Sequence, residues 1–398
     1  MQDNSEMKYD FDTLIDRRGT GSYKWDSAEE RDVIPMWVAD MDFRVAPPIV
    51  EALEAKVKEG IFGYTYVPED FYAAVIEWFQ RRHGWEIKRD SILYTSGVVP
   101  AISAIIKALC RPGDGVLVQT PVYNCFFSSI RNNGCEVIEN RLIYNNGIYS
   151  IDFEDFEKKI SGGKVKIFLL CNPHNPSGRV WSVDELKKLG DICKKHNIPI
   201  VSDDIHCELV YPGFKYTPIA SLFESKEIDI ITCVSSSKSF NTAGLQIACI
   251  ITDNDEMRAK IDRAININEV CDVNPFGVAG LIAAYRNGLP WLEQLVEYLH
   301  ENYKALREFF EERMPYLKII PIEATYLVWV DCSALNVKSQ LIEDHLLANS
   351  KVWINAGTHY GAAGEKFIRI NIATSRTRLM EGLERIHKGI ESIRELHS

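Results

Sequence analysis

No two of the ten cysteines, at 110, 125, 135, 171, 193, 207, 233, 249, 271 and 332, stand in a C-x-x-C pair. That removes the usual ligand spacing of a zinc site and of a dithiol redox motif. Several lie inside apolar runs, which suits reduced core thiols rather than a disulfide framework, and no metal is expected. The chain also has no uninterrupted apolar stretch of the about 18 residues needed to span a bilayer, and its first seven residues, Met-Gln-Asp-Asn-Ser-Glu-Met, carry no apolar leader core. The expected location is the cytoplasm. A basic excess is missing too: 45 Lys and Arg face 56 Asp and Glu, for a net charge of −11 and a pI near 5.4. A nucleic-acid or anionic-membrane partner would call for the opposite sign, so a small-molecule ligand is expected. Repeats, low-complexity tracts, a Walker loop and a G-x-G-x-x-G fingerprint are all lacking.

What remains is 398 residues of ordinary globular composition, 46% hydrophobic and 25% charged, enough for two domains. Residues 1–46 read as an irregular arm whose apolar part, 33–43, contains two aspartates. It is either a packed strap or a segment whose backbone, at Val38 and Ala39, lines a pocket. Pro47-Pro48 opens a helix with Ile49, Leu53 and Val57 on one face. A break over 60–68 holds Tyr64 and Tyr66, and an amphipathic helix runs from Glu69 to about His83. A strand from Ile92 then passes through Ser96-Gly97 into an apolar helix. Free N–H groups at such a junction point at one spot and suit an anion.

From 115 onward short apolar runs alternate with amphipathic helices, the pattern of a mostly parallel sheet covered on both faces. The texture changes after Asn274-Pro275, where a long helix over 291–313 leads to a further set of strands and helices. The expected division is an arm over 1–46 contributing to the small domain, a large domain over 47–288 and a small C-terminal domain over 289–398. Ligands of such sheets sit at the carboxyl ends of the strands. The polar groups there are Asn172-Pro-His-Asn-Pro-Ser-Gly178, Asp203-Asp204-Ile-His206 and Ser235-Ser-Ser-Lys238. Asn175, Asp203 and Lys238 are 28 and then 35 residues apart, about one strand-helix-strand step each.

In order and spacing these three motifs resemble those of the fold-type I pyridoxal-phosphate enzymes. Over the whole chain, from the arm segment 37–43 through Gly97-Val-Val-Pro100 to Phe-Ile-Arg369-Ile-Asn, the sequence is most similar to the MalY/PatB group of cystathionine β-lyases, which includes cystalysin. The resemblance implies an aminotransferase-like α/β fold: a mostly parallel sheet flanked by helices in a large domain, plus a smaller α+β domain. It implies that Lys238 holds pyridoxal 5'-phosphate as a Schiff base, Asp203 pairs with the pyridine nitrogen, Asn175 donates to the 3′ oxygen and Tyr123 stacks on the ring. The phosphate would lie against Gly97, Val98 and Val99, with Ser235 and Ser237 adding hydroxyls. Arg369 corresponds to the arginine that binds the substrate α-carboxylate, beside Val38, Ala39 and Asn175. Tyr64, with Tyr66 close by, corresponds to a tyrosine lent to the neighbouring subunit's phosphate, which implies a homodimer.

Two details bear on the reaction. His206 stands where related aminotransferases carry Tyr and the lyase group carries His, although a packed supporting residue would also explain it. Asp204 departs from the more usual Glu. The implied activity is α,β-elimination from cystathionine, cysteine or a related S-substituted cysteine, giving pyruvate, ammonia and a thiol, with Lys238 as base and Lys238 or Tyr123 protonating the leaving sulfur. Transamination would use the same lysine, aspartate and asparagine, and a cofactor-binding regulator with residual lyase activity is a further alternative.

Overall fold

The computed structural model describes residues 8–268 and 273–397; Cys271 lies outside them. A seven-stranded sheet organises the chain. Its strands run in the order Ile92–Thr95, Ala248–Ile251, Ile230–Val234, Ile200–Asp203, Val165–Cys171, Gly115–Thr120 and Glu136–Arg141. Neighbours are parallel except Ala248–Ile251, which is antiparallel to both strands beside it. The central strands are buried on both faces, Gly115–Thr120 without exception, as expected when helices cover both sides of a parallel sheet.

The covering helices follow from local sequence. Val183–Lys195 begins with a capping box in which Ser182 and Glu185 satisfy each other's backbone N–H groups. Pro47–Glu59 and Glu69–His83 each stop at a left-handed glycine, Gly60 and Gly84. Val98–Leu109 is the most apolar of them and packs into the core with Val98, Ala101, Ile102, Ile105 and Ile106.

The C-terminal part forms a second sheet, antiparallel throughout, in the order Lys318–Ile319, Leu327–Asp331, Phe367–Asn371 and Asn355–Ala356. Helices Ser339–Ser350 and Arg376–His397 pack with it. The arm returns to this part of the molecule: Ile34–Pro35 pairs in parallel with Val352–Trp353. Two aspartates of the arm are anchored internally. Asp42 is buried and accepts from Lys24 Nζ at 3.0 Å, Trp25 Nε1 at 2.8 Å and Arg17 Nη1 at 3.2 Å. Asp40 accepts both Arg17 Nη atoms, at 2.7 and 3.0 Å.

The helix Pro47–Glu59 differs from the periodic reading. Ile49 is fully buried and Leu53 partly so, but Val57 is 60% exposed. Val50, Ile61, Phe62, Tyr64 and Tyr66 are exposed as well, so the end of this helix and the loop beyond it carry apolar side chains on the protomer's surface. Among the described residues no helix is long and apolar enough to cross a membrane, and the nine described cysteines are all free thiols.

Candidate active site

Three strand ends meet in register. Cys171 of Val165–Cys171, Asp203 of Ile200–Asp203 and Cys233 of Ile230–Val234 are direct neighbours across the sheet. Each strand therefore releases its chain at the same level, and the following residues turn inward around one cavity of about 180 Å³. Lys238, Asp203, Asn175, His206, Tyr123, Ser237, Ala39 and the run Gly97, Val98 and Val99 all line it. Sequence reasoning had no signal that Cys171, Ile205 and Ala243 also line it.

Lys238 is partly buried, and its Nζ donates to the Ala39 carbonyl at 2.6 Å. Burial lowers its pKa below the ordinary lysine value and the Arg369 charge acts in the same direction, whereas Asp40 and Asp203 oppose them. Asp203 is 3% exposed, and burial pushes its carboxyl up to about 7 against the Ile205 N–H, which donates to Oδ1 at 3.2 Å, and the Lys238 charge. Next to it, Asp204 accepts Ser202 Oγ at 2.5 Å and the Tyr216 hydroxyl. Burial, with the Asp203 charge acting the same way, raises it also to about 7; its partners are neutral donors, and it is not among the residues lining the cavity.

His206 is buried and held at about 3, first by burial and then by the Lys238 and Arg369 charges, so its ring is neutral at physiological pH. Its Nδ1 has no partner among the described residues. Tyr123 precedes the helix Asn124–Asn132, and burial, reinforced by Cys125, raises its hydroxyl well above the ordinary tyrosine value. Arg369, buried in strand Phe367–Asn371, is not itself in the lining; it stands behind Asn175, donating from Nη1 to Asn175 Oδ1 at 3.2 Å and from Nη2 to the Trp37 carbonyl at 2.7 Å. Its guanidinium lies 4.8 Å from the centre of the Tyr360 ring, and its Nε has no partner among the described residues.

The junction at Gly97 is built from backbone. Gly97 has φ 155° and ψ 163°, a combination essentially restricted to glycine. It turns the strand Ile92–Thr95 into the helix Val98–Leu109, whose first-turn N–H groups have no intrahelical acceptor. On the opposite side Ser235 Oγ lies 2.8 Å from Ser237 Oγ and 2.6 Å from the Ile247 carbonyl, and it accepts the Ser237 N–H at 3.0 Å. Ser237 thus faces the cavity while Ser235 sits behind it and holds the turn. Val38 is likewise behind the lining, with its carbonyl accepting from Asn371 Nδ2 at 2.6 Å. Tyr64 and Tyr66, 95% and 81% exposed, do not line the cavity of their own protomer.

These features fit pyridoxal phosphate. A carboxylate raised to about 7 by burial is in want of a cationic N–H partner, which a protonated pyridine supplies. A helix start opened by glycine suits a phosphate, and a lysine with a depressed pKa is available as a free amine to a carbonyl. His206 lines the cavity, and its buried Nδ1, unpartnered among the described residues, leaves a polar atom for what occupies it.

A family model for aminotransferases of class I and II matches residues 31–386. The cystathionine beta-lyase PatB of Bacillus subtilis (strain 168) is 42% identical over 380 residues, covering 94% of this chain and 98% of PatB. The protein MalY of Escherichia coli (strain K12) is 31% identical over 392 residues, covering 97% of this chain and 100% of MalY. Among solved structures, cystalysin from Treponema denticola, which contains pyridoxal 5'-phosphate, superimposes with a TM-score of 0.94 at 35% identity, covering 97% of this chain and 100% of cystalysin.

Proposed function

This chain belongs to the class I and II aminotransferase family, and from that membership we propose that it is a pyridoxal-phosphate-dependent carbon–sulfur β-lyase. Its substrates would be cystathionine, cysteine or related S-substituted cysteines, and its products pyruvate, ammonia and a thiol. The observation that carries this reading is the convergence of Lys238, Asp203, Asn175 and a neutral His206 on one cavity, in a chain 42% identical to a cystathionine beta-lyase over nearly its full length.

The residues that would hold the cofactor are Lys238, Asp203, Asn175, Tyr123, His206, Ser237 and the cradle at Gly97, Val98 and Val99, with Ser235 bracing Ser237. When bound, the cofactor supplies an electron sink for the pair left as the Cα–H bond breaks. Asp203 keeps the pyridine nitrogen protonated, and Asn175 donates to the ring oxygen. Arg369 takes the α-carboxylate with its planar fork, which orients the Cα–H bond toward Lys238. Lys238 Nζ accepts that proton as a free amine, since burial favours its neutral form. The Cβ–S bond then breaks with its electron pair on sulfur, and Lys238 or Tyr123 returns a proton to it. Water converts the three-carbon remainder to pyruvate and ammonia.

Arg369→Ala should weaken amino-acid binding by roughly 2–5 kcal/mol, the cost of removing one partner of a desolvated charge pair. The effect would be seen mainly in KM, and an unchanged KM would take Arg369 out of the substrate site.

The three-part division of the chain, with an arm over 1–46, a large domain over 47–288 and a small domain over 289–398, is also our reading. It is supported by the two separate sheets and by the arm strand that joins the second part. A homodimer is supported by the exposed apolar side chains of Val57, Ile61 and Phe62 beside Tyr64. Tyr64 or Tyr66 would reach the neighbouring subunit's phosphate, with Tyr64 our first choice. A cytoplasmic location is supported by the free thiols.

The reading is tested by giving the cofactor-loaded protein L-cystathionine or L-cysteine and following pyruvate, thiol and the aminated cofactor. Pyruvate and thiol formed together without an added 2-oxo acid are the expected result. Accumulation of aminated cofactor without pyruvate would assign a transaminase, and no response to any amino acid would favour a regulator.

A further inference from the structure

We propose that Arg17 and Asp40 form a positioning pair that clamps the segment 37–43 against Lys238 and Arg369, so that amino-acid binding depends on an ion pair set behind the cavity wall. The inference rests on the assignment of Arg369 and Lys238 to the substrate site. Neither Arg17 nor Asp40 is among the residues lining the cavity.

The segment is irregular backbone, yet both cations of the site use its carbonyls. Arg369 Nη2 donates to the Trp37 carbonyl at 2.7 Å, and Lys238 Nζ donates to the Ala39 carbonyl at 2.6 Å. These two acceptors are two residues apart, so a shift of the segment displaces the resting partners of both cations together. Asp40 is the next residue. Its carboxylate meets Arg17 through two parallel bonds, Nη1 to Oδ1 at 2.7 Å and Nη2 to Oδ2 at 3.0 Å, the geometry in which a guanidinium fixes orientation as well as charge. Nη1 of the same arginine also lies 3.0 Å from the Met41 carbonyl and 3.2 Å from Asp42 Oδ1. One side chain therefore grips three consecutive residues, 40 to 42, immediately after the carbonyl that receives Lys238.

Other donors fix the flanks. Asn371 donates to the carbonyls of Val38 and Asp40, and Asn241 to those of Met41 and Phe43. Those asparagines belong to the body of the protein, whereas Arg17 comes from the arm itself. The ion pair is only partly buried, with about a quarter of each side chain accessible, so it can be removed without leaving a charge sealed in the core. Asp42, in contrast, is buried with Lys24, and its pair reads as the anchor of the arm. A second effect follows from charge: Asp40 is the strongest of the negative neighbours that oppose the drop in the Lys238 pKa, so an unclamped Asp40 also alters the field at the base.

The test compares wild type, Arg17→Ala, Arg17→Lys and Asp40→Asn. Hydrogen exchange is followed in the cofactor-free protein, and steady-state kinetics with an S-substituted cysteine are followed in the loaded protein. In Arg17→Ala, amides of 37–43 are expected to exchange at least tenfold faster while the central strands keep wild-type protection. KM is expected to rise about tenfold or more with a smaller change in kcat, as when binding is lost uniformly. Arg17→Lys, which keeps the charge and loses the fork, should fall between. Asp40→Asn should reproduce the exchange effect. Unchanged exchange over 37–43, or faster exchange spread evenly over the whole fold, would overturn the proposal, as would a loss confined to kcat. The exchange arm does not require elimination to occur, so failure of the lyase reading and failure of the clamp give different results.

Discussion

Lys238→Ala is expected to abolish elimination, lowering turnover by roughly 10⁴-fold or more, because one side chain serves as covalent anchor, base and proton donor. The fold should survive. Nζ makes one hydrogen bond, to the Ala39 carbonyl, and at about pH 6 its loss leaves no ionised carboxylate behind, since Asp203 holds its proton up to about 7. The variant should therefore unfold at nearly the wild-type denaturant midpoint when both proteins are cofactor-free. It should also lose the absorption of the lysine-linked cofactor. Substantial pyruvate formation by a correctly folded variant would show that another group takes the Cα proton.

Asp203→Asn is expected to separate activity from stability. Asparagine cannot hold a pyridine nitrogen in its protonated form, and the loss of that preorganised charge should cost roughly 10²-fold or more in turnover. The cofactor-free protein should behave in the opposite sense. Burial holds the folded-state pKa of Asp203 at about 7, against 3.8 for an ordinary aspartate, so the folded protein binds the proton more tightly than the unfolded chain. Its stability from this group is complete below about pH 4 and is lost as the pH rises through 7. The gap between those two values sets a ceiling of about 4 kcal/mol on the effect. Asparagine is neutral throughout. Asp203→Asn should accordingly match wild type near pH 4 and exceed it in stability at pH 8, as measured by urea unfolding without cofactor. Asp204 is raised in part by the Asp203 charge, so the substitution also relieves that repulsion, which acts in the same direction at about pH 8. Equal stability at both pH values would show that the aspartate is compensated in the empty fold. The contrast expresses a general tension, in which a group poised for a ligand is costly to the protein alone.

Much of this architecture was legible from periodicity. The helix Val183–Lys195 matches its amphipathic pattern to the residue, and the alternation after 115 foretold parallel strands whose ends carry Asn175, Asp203 and Lys238. Those residues are recognisable because polar groups directly after buried strands are unusual and the sheet geometry leaves them one place to go. Side-chain partners were not legible. That Lys238 rests on Ala39, or that Arg17 grips Asp40, depends on contacts between segments about 200 and 23 residues apart. The sequence signal for the latter was the pair of aspartates in an apolar arm, which called for cations without saying which. Val57 failed for another reason. Helical periodicity identifies an apolar face but not what covers it, and here the face extends onto the protomer's surface. The hairpin of Ile143–Asn145 and Ile148–Ser150 interrupts the strand–helix alternation, and its sequence signal is Asn146-Gly147, both at positive φ.

The central claim is that this constellation directs the electrons of the broken Cα–H bond toward loss of sulfur. The most direct measurement is the number of pyruvate equivalents released per protomer from L-cystathionine, with every 2-oxo acid withheld. Elimination regenerates the starting enzyme, so pyruvate should accumulate to many equivalents, matched one for one by thiol. A transaminase would stop after at most one equivalent of oxo-acid product with its cofactor aminated, and that stoichiometry would contradict the account.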